Sequence, residues 1–285
     1  MAMIKKEGIF ALLAFLIYFY SCLTLIRTTT FTSWQGLINS LAFIALSWFV
    51  MKFLPHFEVV KRAAFLGCVF GFSVVLSFSG LPFQHFGWYM ASLSFFHFSE
   101  YIMTAIYNPD TLTTDSFLLN HSREYKLAAI ASWIEFAVEY FFFPNLKQTS
   151  FINELGLLLL IGGEIVRKLA MITAKSNFSH IVQFQKKDGH VLVQHGIYNW
   201  FRHPSYFGWF WWSIGTQLTL SNPICLVVYA WASWNFFKER IEVEEVTLLN
   251  FFQQEYVDYQ KRVGTGLPFI KGYLVSEEIN SKKDK

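Results

Sequence analysis

The chain has 285 residues, of which 54% are hydrophobic, 20% aromatic and only 15% charged, well short of the roughly 25% charged residues of an ordinary soluble domain. That composition excludes a typical soluble enzyme and points to an all-α integral membrane protein. The net charge of +3 comes from Lys and Arg scattered between apolar segments, so no concentrated basic patch exists for nucleic acid and none is expected as a partner.

In chain order, Lys5 and Lys6 precede an apolar run from about Gly8 to Ile26. It is too long for the core of a signal peptide and lacks a small-residue cleavage site, so it reads as a retained first span. A spanning helix needs about 20 mostly apolar residues. Further stretches of that kind lie near 34–54, 63–81, 88–107, 127–143 and 152–172. A last pair, near 206–221 and 223–237, is divided only by Ser221-Asn222-Pro223, a turn with proline placed to start the next helix. About eight transmembrane helices put both termini on one side. With that side cytosolic, only Arg27 and Lys147 of the 23 Lys and Arg fall outside, as the excess of cytoplasmic positive charge requires. A seven-span arrangement would carry Lys186, Lys187 and Arg202, or the tail, across the bilayer and spoil that asymmetry. No repeat or linker interrupts the chain, so residues 1–285 read as a single polytopic membrane domain, with only about the last dozen residues, Ser281–Lys285 among them, reading as a frayed tail. Cys22, Cys68 and Cys225 sit within apolar stretches and read as packing or lipid-facing residues.

Ionisable groups inside such stretches usually face the bundle interior, because lipid exposure costs several kcal/mol. His97 and Glu100 lie three apart, Glu135 and Glu139 four apart, and Glu164 and Arg167 three apart, each pair on one helical face. Interhelical hydrogen bonding accounts for the first two pairs, with a functional role as the alternative. The third is open between the two. A proton-relay transporter would also use such groups, but no inverted repeat is visible.

The chemistry concentrates in residues 175–270. The connection contains Gln183, then His190-Val191-Leu192-Val193, Tyr198 and Arg202-His203-Pro204-Ser205-Tyr206. Val191 to Val193 can offer backbone N–H and C=O to a purine edge, Tyr198 and Tyr206 can stack, and Gln183 can hydrogen-bond. Ser205 can cap the following helix and turn its N-terminus toward a carboxylate. The same stretch also reads as an interfacial loop with an aromatic belt. Farther on, Arg240 and Glu244 are one turn apart. An arginine that grips a carboxylate beside a glutamate that holds an ammonium could clamp two ligands, and an exposed ion pair worth about 0.5 kcal/mol is the plain alternative.

Arg202-His203-Pro204-Ser205-Tyr206-Phe207-Gly208-Trp209-Phe210, with Glu244-Glu245 and Gly266-Leu267-Pro268-Phe269-Ile270, strongly resembles the eukaryotic isoprenylcysteine carboxyl methyltransferase family. The resemblance runs from about Asn120-His121-Ser122-Arg123-Glu124-Tyr125 to that last stretch, roughly half the chain. It implies an endoplasmic-reticulum enzyme with its cofactor pocket on the cytosolic side, formed by the loop before the last helical hairpin and the C-terminal helices. Methyl from S-adenosylmethionine would go to the C-terminal carboxylate of a farnesylated or geranylgeranylated cysteine, in processed CaaX proteins such as Ras-type small GTPases, leaving S-adenosylhomocysteine. By resemblance, Gln183, His190, Val191, Leu192, Val193, Tyr198, His203, Pro204, Ser205, Tyr206 and Glu244 hold the cofactor, and Arg240 binds the substrate carboxylate as the catalytic residue. No metal is expected, since carboxylate methylation needs no Lewis acid.

A prenyl chain is insoluble, so the site should open sideways to the bilayer, with Trp209, Phe210, Trp211 and Trp212 as candidate walls or as belt aromatics. The Arg-His-Pro segment with the Glu pair is shared with phospholipid N-methyltransferases and with some NADPH-dependent sterol reductases. The first would need a neutral amine as nucleophile, and the second extra basic residues for a 2′-phosphate, of which Lys186 and Lys187 are a weak echo. A transporter or scaffold would not need the concentrated cytosolic motif.

Overall fold

The computed structural model describes residues 4–28, 34–80, 83–119, 122–148 and 150–274. Among these the chain is all-helical, with nine α-helices: α1 Lys6–Thr28, α2 Trp34–Met51, α3 Phe57–Ser77, α4 Gln84–Tyr107, α5 Arg123–Phe142, α6 Ser150–Ala174, α7 Pro204–Leu220, α8 Pro223–Phe252 and α9 Gln254–Arg262. Each apolar stretch expected from the sequence overlaps one of α1 to α8 over most of its described residues, with 34–54 running past the end of α2 at Met51 and 63–81 past the end of α3 at Ser77. Asn120, His121 and the stretch Ser281–Lys285, expected from the sequence to fray, lie outside the described residues.

Among the described residues, α1 over Lys6–Thr24 and α3 are long and apolar enough to cross a membrane by themselves. Helix α7 is shorter, with 17 residues, and α5 carries Glu135 and Glu139. Large apolar side chains nevertheless stand exposed along them, including Phe141 and Phe142 on α5, Leu158 on α6, and Val227 and Trp231 on α8. Apolar exposure on this scale marks a surface made for something other than water.

The chain divides into two compact units, Met1–Leu158 with Gly215–Cys225, and Leu159–Ile214 with Leu226–Lys285. In the first, α1, α3 and α4 pack around Phe15, Val60, Ala63, Phe98 and Tyr101. Phe15 stacks on Phe98 with centroids 3.8 Å apart. Gly67 lets α1 and α3 approach so closely that a Cβ there would run into the Phe15 carbonyl, the use of small residues typical of membrane helix pairs. His97 Nδ1 donates to the Phe117 carbonyl (2.9 Å) and Nε2 accepts from the Tyr125 hydroxyl (3.2 Å), which fits the structural role expected for it. Glu100 is completely buried.

The turn between α7 and α8 belongs to the same unit and uses both α5 carboxylates. Glu135 accepts from the Ile224 and Cys225 N–H groups, both at 2.7 Å, and so caps the start of α8. Glu139 pairs with Lys147 at 2.6 Å. The same ammonium donates to the carbonyls of Leu220 and Ser221 (2.9 Å each) and to Asn222 Oδ1 (2.8 Å), so it closes the C-terminus of α7. Lys147, one of two cations the sequence placed outside, is thus a buried structural ion. Lys147→Met leaves Glu139 and these carbonyls without their donor, and thermal unfolding in detergent should show a loss of about 3–5 kcal/mol. Glu139→Gln added to Lys147→Met should recover part of it.

Candidate active site

Every residue assigned to chemistry from the sequence falls in the second unit, and the path of α6, α7 and α8 explains how they meet. Gly163 on α6 faces Gly208 on α7, and a Cβ built on either would come 2.5 Å from the carbonyl oxygen of the other. This crossing brings Arg167 against the start of α7. The buried guanidinium donates from Nη1 to Ser205 Oγ at 2.6 Å and lies 4.7 Å from the Trp209 ring centroid. Helix α7 begins at Pro204, with the His203 carbonyl accepting from the Tyr206 and Phe207 N–H groups. Ser205 therefore lies within the first turn and does not cap it, because its hydroxyl oxygen serves Arg167. Gly208→Val should cost about 1–3 kcal/mol by forcing the two helices apart, seen as a lower melting temperature together with lost activity.

Below this start lies a buried polar hub. Arg202 Nε donates to Glu245 Oε1 at 2.9 Å, and its other nitrogens donate to the carbonyls of Gln260, Val263 and Lys271. His203 Nε2 (3.1 Å) and the Tyr256 hydroxyl (3.1 Å) donate to Glu245 Oε1, and Gln260 Nε2 donates to Oε2 (3.1 Å). Gly272 packs so tightly on this carboxylate that a Cβ would overlap it. Burial by itself would push the Glu245 carboxyl up, but the hydrogen bond and charge of His203 and the charge of Arg202 outweigh burial and hold it below the ordinary carboxylate range. The sequence motif holds Arg202 and Glu245, but spacing alone does not reveal that they are partners 43 residues apart.

Above the hub, Tyr206 joins the two residues expected to clamp ligands. Its hydroxyl donates to Glu244 Oε2 at 2.6 Å and accepts from Arg240 Nε at 2.9 Å. Arg240 Nη2 donates to the His180 carbonyl at 2.6 Å, and its guanidinium lies 5.6 Å from the Tyr206 ring centroid. Both Arg240 and Glu244 are half-buried, so the exposed ion-pair alternative does not describe them. Among the described residues, Arg240 Nη1 keeps its donors unused by the protein.

The connecting loop wraps onto the same region. Asn177 Oδ1 accepts from the Val191 N–H (2.9 Å), which takes one of the backbone donors expected to read a purine. Among the described residues the backbone edges of Leu192 and Val193 have no protein partner. Gln183 Nε2 bonds Ser179 Oγ (2.9 Å) and the Ile181 carbonyl (3.0 Å). The His190 ring meets Phe252 edge-on with centroids 5.3 Å apart. Its burial first, then Lys186 and Lys187, push its basicity down, which favours the neutral imidazole. Tyr198 lies close enough to Glu244 that burial and then this carboxylate push its phenol up, and its carbonyl accepts from the Tyr259 hydroxyl. Phe210 and Trp212 are buried, while Trp209 and Trp211 are half-buried.

An amino-acid-bearing sulfonium nucleoside would need backbone edges for its base, a carboxylate for its ammonium and aromatic faces beside it. Leu192 and Val193, Glu244, and Tyr198 with Tyr206 are residues of those types, so the donor set fits such a group.

The isoprenylcysteine carboxyl methyltransferase family model matches residues 155–250. The chain is 59% identical over 221 residues to the Rattus norvegicus protein-S-isoprenylcysteine O-methyltransferase, covering 78% of each chain. It is 46% identical over 222 residues to the Saccharomyces cerevisiae protein of that name, covering 76% of this chain and 92% of the other. The fold matches the solved structure of the eukaryotic intramembrane Ras methyltransferase, isoprenylcysteine carboxyl methyltransferase, with a TM-score of 0.88 at 46% identity, over 94% of this chain and 99% of that one. The chain belongs to the isoprenylcysteine carboxyl methyltransferase family, a family of multi-pass membrane enzymes.

Proposed function

We propose that the chain methylates the C-terminal carboxylate of a prenylated cysteine in processed CaaX proteins such as Ras-type small GTPases, from an eight-span position in the endoplasmic-reticulum membrane with both termini cytosolic. S-adenosylmethionine, when bound, supplies a methyl group activated by the adjoining sulfonium. Gln183, His190 to Val193, Tyr198, His203 to Tyr206 and Glu244 are the residues that would hold it, and Arg240 would hold the substrate carboxylate.

The observation that carries this reading is Tyr206, whose single hydroxyl is bonded to Glu244 and to Arg240. It fixes the distance between an anion suited to an ammonium and a cation suited to a carboxylate. A C-terminal carboxylate has a pKa of about 3.5 and is ionised at neutral pH, so no general base is required. What remains for the protein is alignment and exclusion of water. Arg240 is held by Tyr206 and the His180 carbonyl, so its free Nη1 donors are already oriented when the carboxylate arrives. The pair Arg202–Glu245 does not need to touch either ligand. It locks His203 and the first turn of α7, and with them Tyr206.

The test is transfer of labelled methyl from S-adenosylmethionine to N-acetyl-S-farnesylcysteine by detergent-purified protein, with the methyl ester of the acceptor as control. The expected result is a base-labile ester formed on the free acid alone. No transfer by lipid-supported protein that still binds the cofactor would overturn the proposal and direct attention to a phospholipid amine as acceptor.

A further inference from the structure

The segment from Val263 to Gly272 returns over the second unit as a strap. Its carbonyls at Gly264 and Thr265 accept from the Arg202 and His203 N–H groups, and Leu267 and Ile270 are buried against Phe210, Phe237 and Ile241. Between them Phe269 points the other way. It is 95% exposed and sits at φ 63°, a left-handed conformation that is unfavourable for a phenylalanine. A strained, fully exposed phenylalanine gains nothing in water.

Its depth is set by one hydrogen bond. Trp234 Nε1 donates to the Pro268 carbonyl at 2.8 Å, which ties Phe269 to the level of Trp234 on α8. The first charged residue of α8 is Lys238, about one helical turn beyond Trp234. Phe269 therefore lies on the apolar side of the first charge. Lys238 is exposed, with its ammonium 5.6 Å from the Trp234 ring centroid, and Lys271, two residues after Phe269, is exposed as well.

We propose that this strap is a lipid anchor, with Phe269 seated in the acyl region of the cytosolic leaflet and Lys238 and Lys271 meeting the phosphates of its headgroups. An aromatic at the boundary flanked by snorkelling lysines is the pattern that favours an interface. The anchor steadies the carbonyls that hold Arg202, and so couples the leaflet to the hub beneath the site. The inference rests on α8 crossing the bilayer, and the experiment separates the two.

Single spin labels at Phe269→Cys, Val227→Cys and Glu239→Cys, in a background without Cys22, Cys68 and Cys225 that retains methyl transfer, would be measured in liposomes for collision with oxygen and with an aqueous nickel complex. The expected oxygen-to-nickel ratio at 269 matches that at 227 and exceeds that at 239 by about tenfold. A ratio at 269 equal to that at 239, with 227 in lipid, overturns the anchor while leaving α8 as a span. An aqueous 227 overturns the span and the anchor with it. Bound N-acetyl-S-farnesylcysteine should leave 269 unchanged, and loss of oxygen access there would assign the position to the substrate chain and overturn the proposal. Lys238→Ala with Lys271→Ala should lower the ratio at 269 by about threefold in bilayers containing an anionic lipid, and an unchanged ratio overturns the part given to the lysines.

Discussion

Arg240→Ala lowers turnover at least about 100-fold, because the carboxylate loses the group that aligns it for reaction. The guanidinium is oriented before any ligand arrives, by Tyr206 on one side and the His180 carbonyl on the other. Lysine should not rescue it. An ammonium supplies one point charge in place of a planar fork and cannot hold Tyr206, His180 and a carboxylate together. Tyr206→Phe isolates the positioning part. It keeps both charges and the ring but removes the hydroxyl that spaces them, and turnover should fall about tenfold with the melting temperature nearly unchanged. Single-turnover methyl transfer with N-acetyl-S-farnesylcysteine reads both variants. Near-normal activity in folded Arg240→Ala would remove Arg240 from the chemistry.

Arg202→Leu should have the largest effect on stability, since it strands a fully buried carboxylate. Removing one partner of a buried ion pair costs about 3–5 kcal/mol, and here the arginine also holds the carbonyls of Val263 and Lys271. Activity should be lost with the fold, and unfolding in detergent should begin at distinctly lower temperature. Glu245→Gln is the milder probe, because it removes the charge and retains most of the shape. Its pH dependence has a definite sign. Glu245 is held below the ordinary carboxylate range in the folded protein, so its contribution is complete above the unfolded value of about 4.3 and is lost as pH falls through the depressed folded value. Glu245→Gln should therefore be less stable than the parent at neutral pH, with the difference shrinking in acid. An unchanged difference across that window would assign the role of Glu245 to packing.

The sequence already carried the class of the protein, the helical stretches and the segment where chemistry is concentrated. These are properties of local composition: apolar length decides what becomes a helix, and an Arg-His-Pro segment followed by a glutamate pair is visible without coordinates. It also placed Glu135 and Glu139 among residues that hold helices together. Tertiary structure decided the partners. Arg202 and Glu245 are separated by more than forty positions, and only the return of α8 beside the start of α7 brings them to 2.9 Å. Ser205 reads as a cap until Arg167, delivered by the Gly163–Gly208 crossing, takes its hydroxyl. Lys147 reads as a stray external charge until the α7–α8 turn folds around it. Arg240 and Glu244 read as an exposed pair until Tyr206 inserts between them. Hydrophobic periodicity acts over a few residues and can be read along the chain, whereas a buried hydrogen bond forms between groups that only packing makes neighbours, and no spacing rule encodes it.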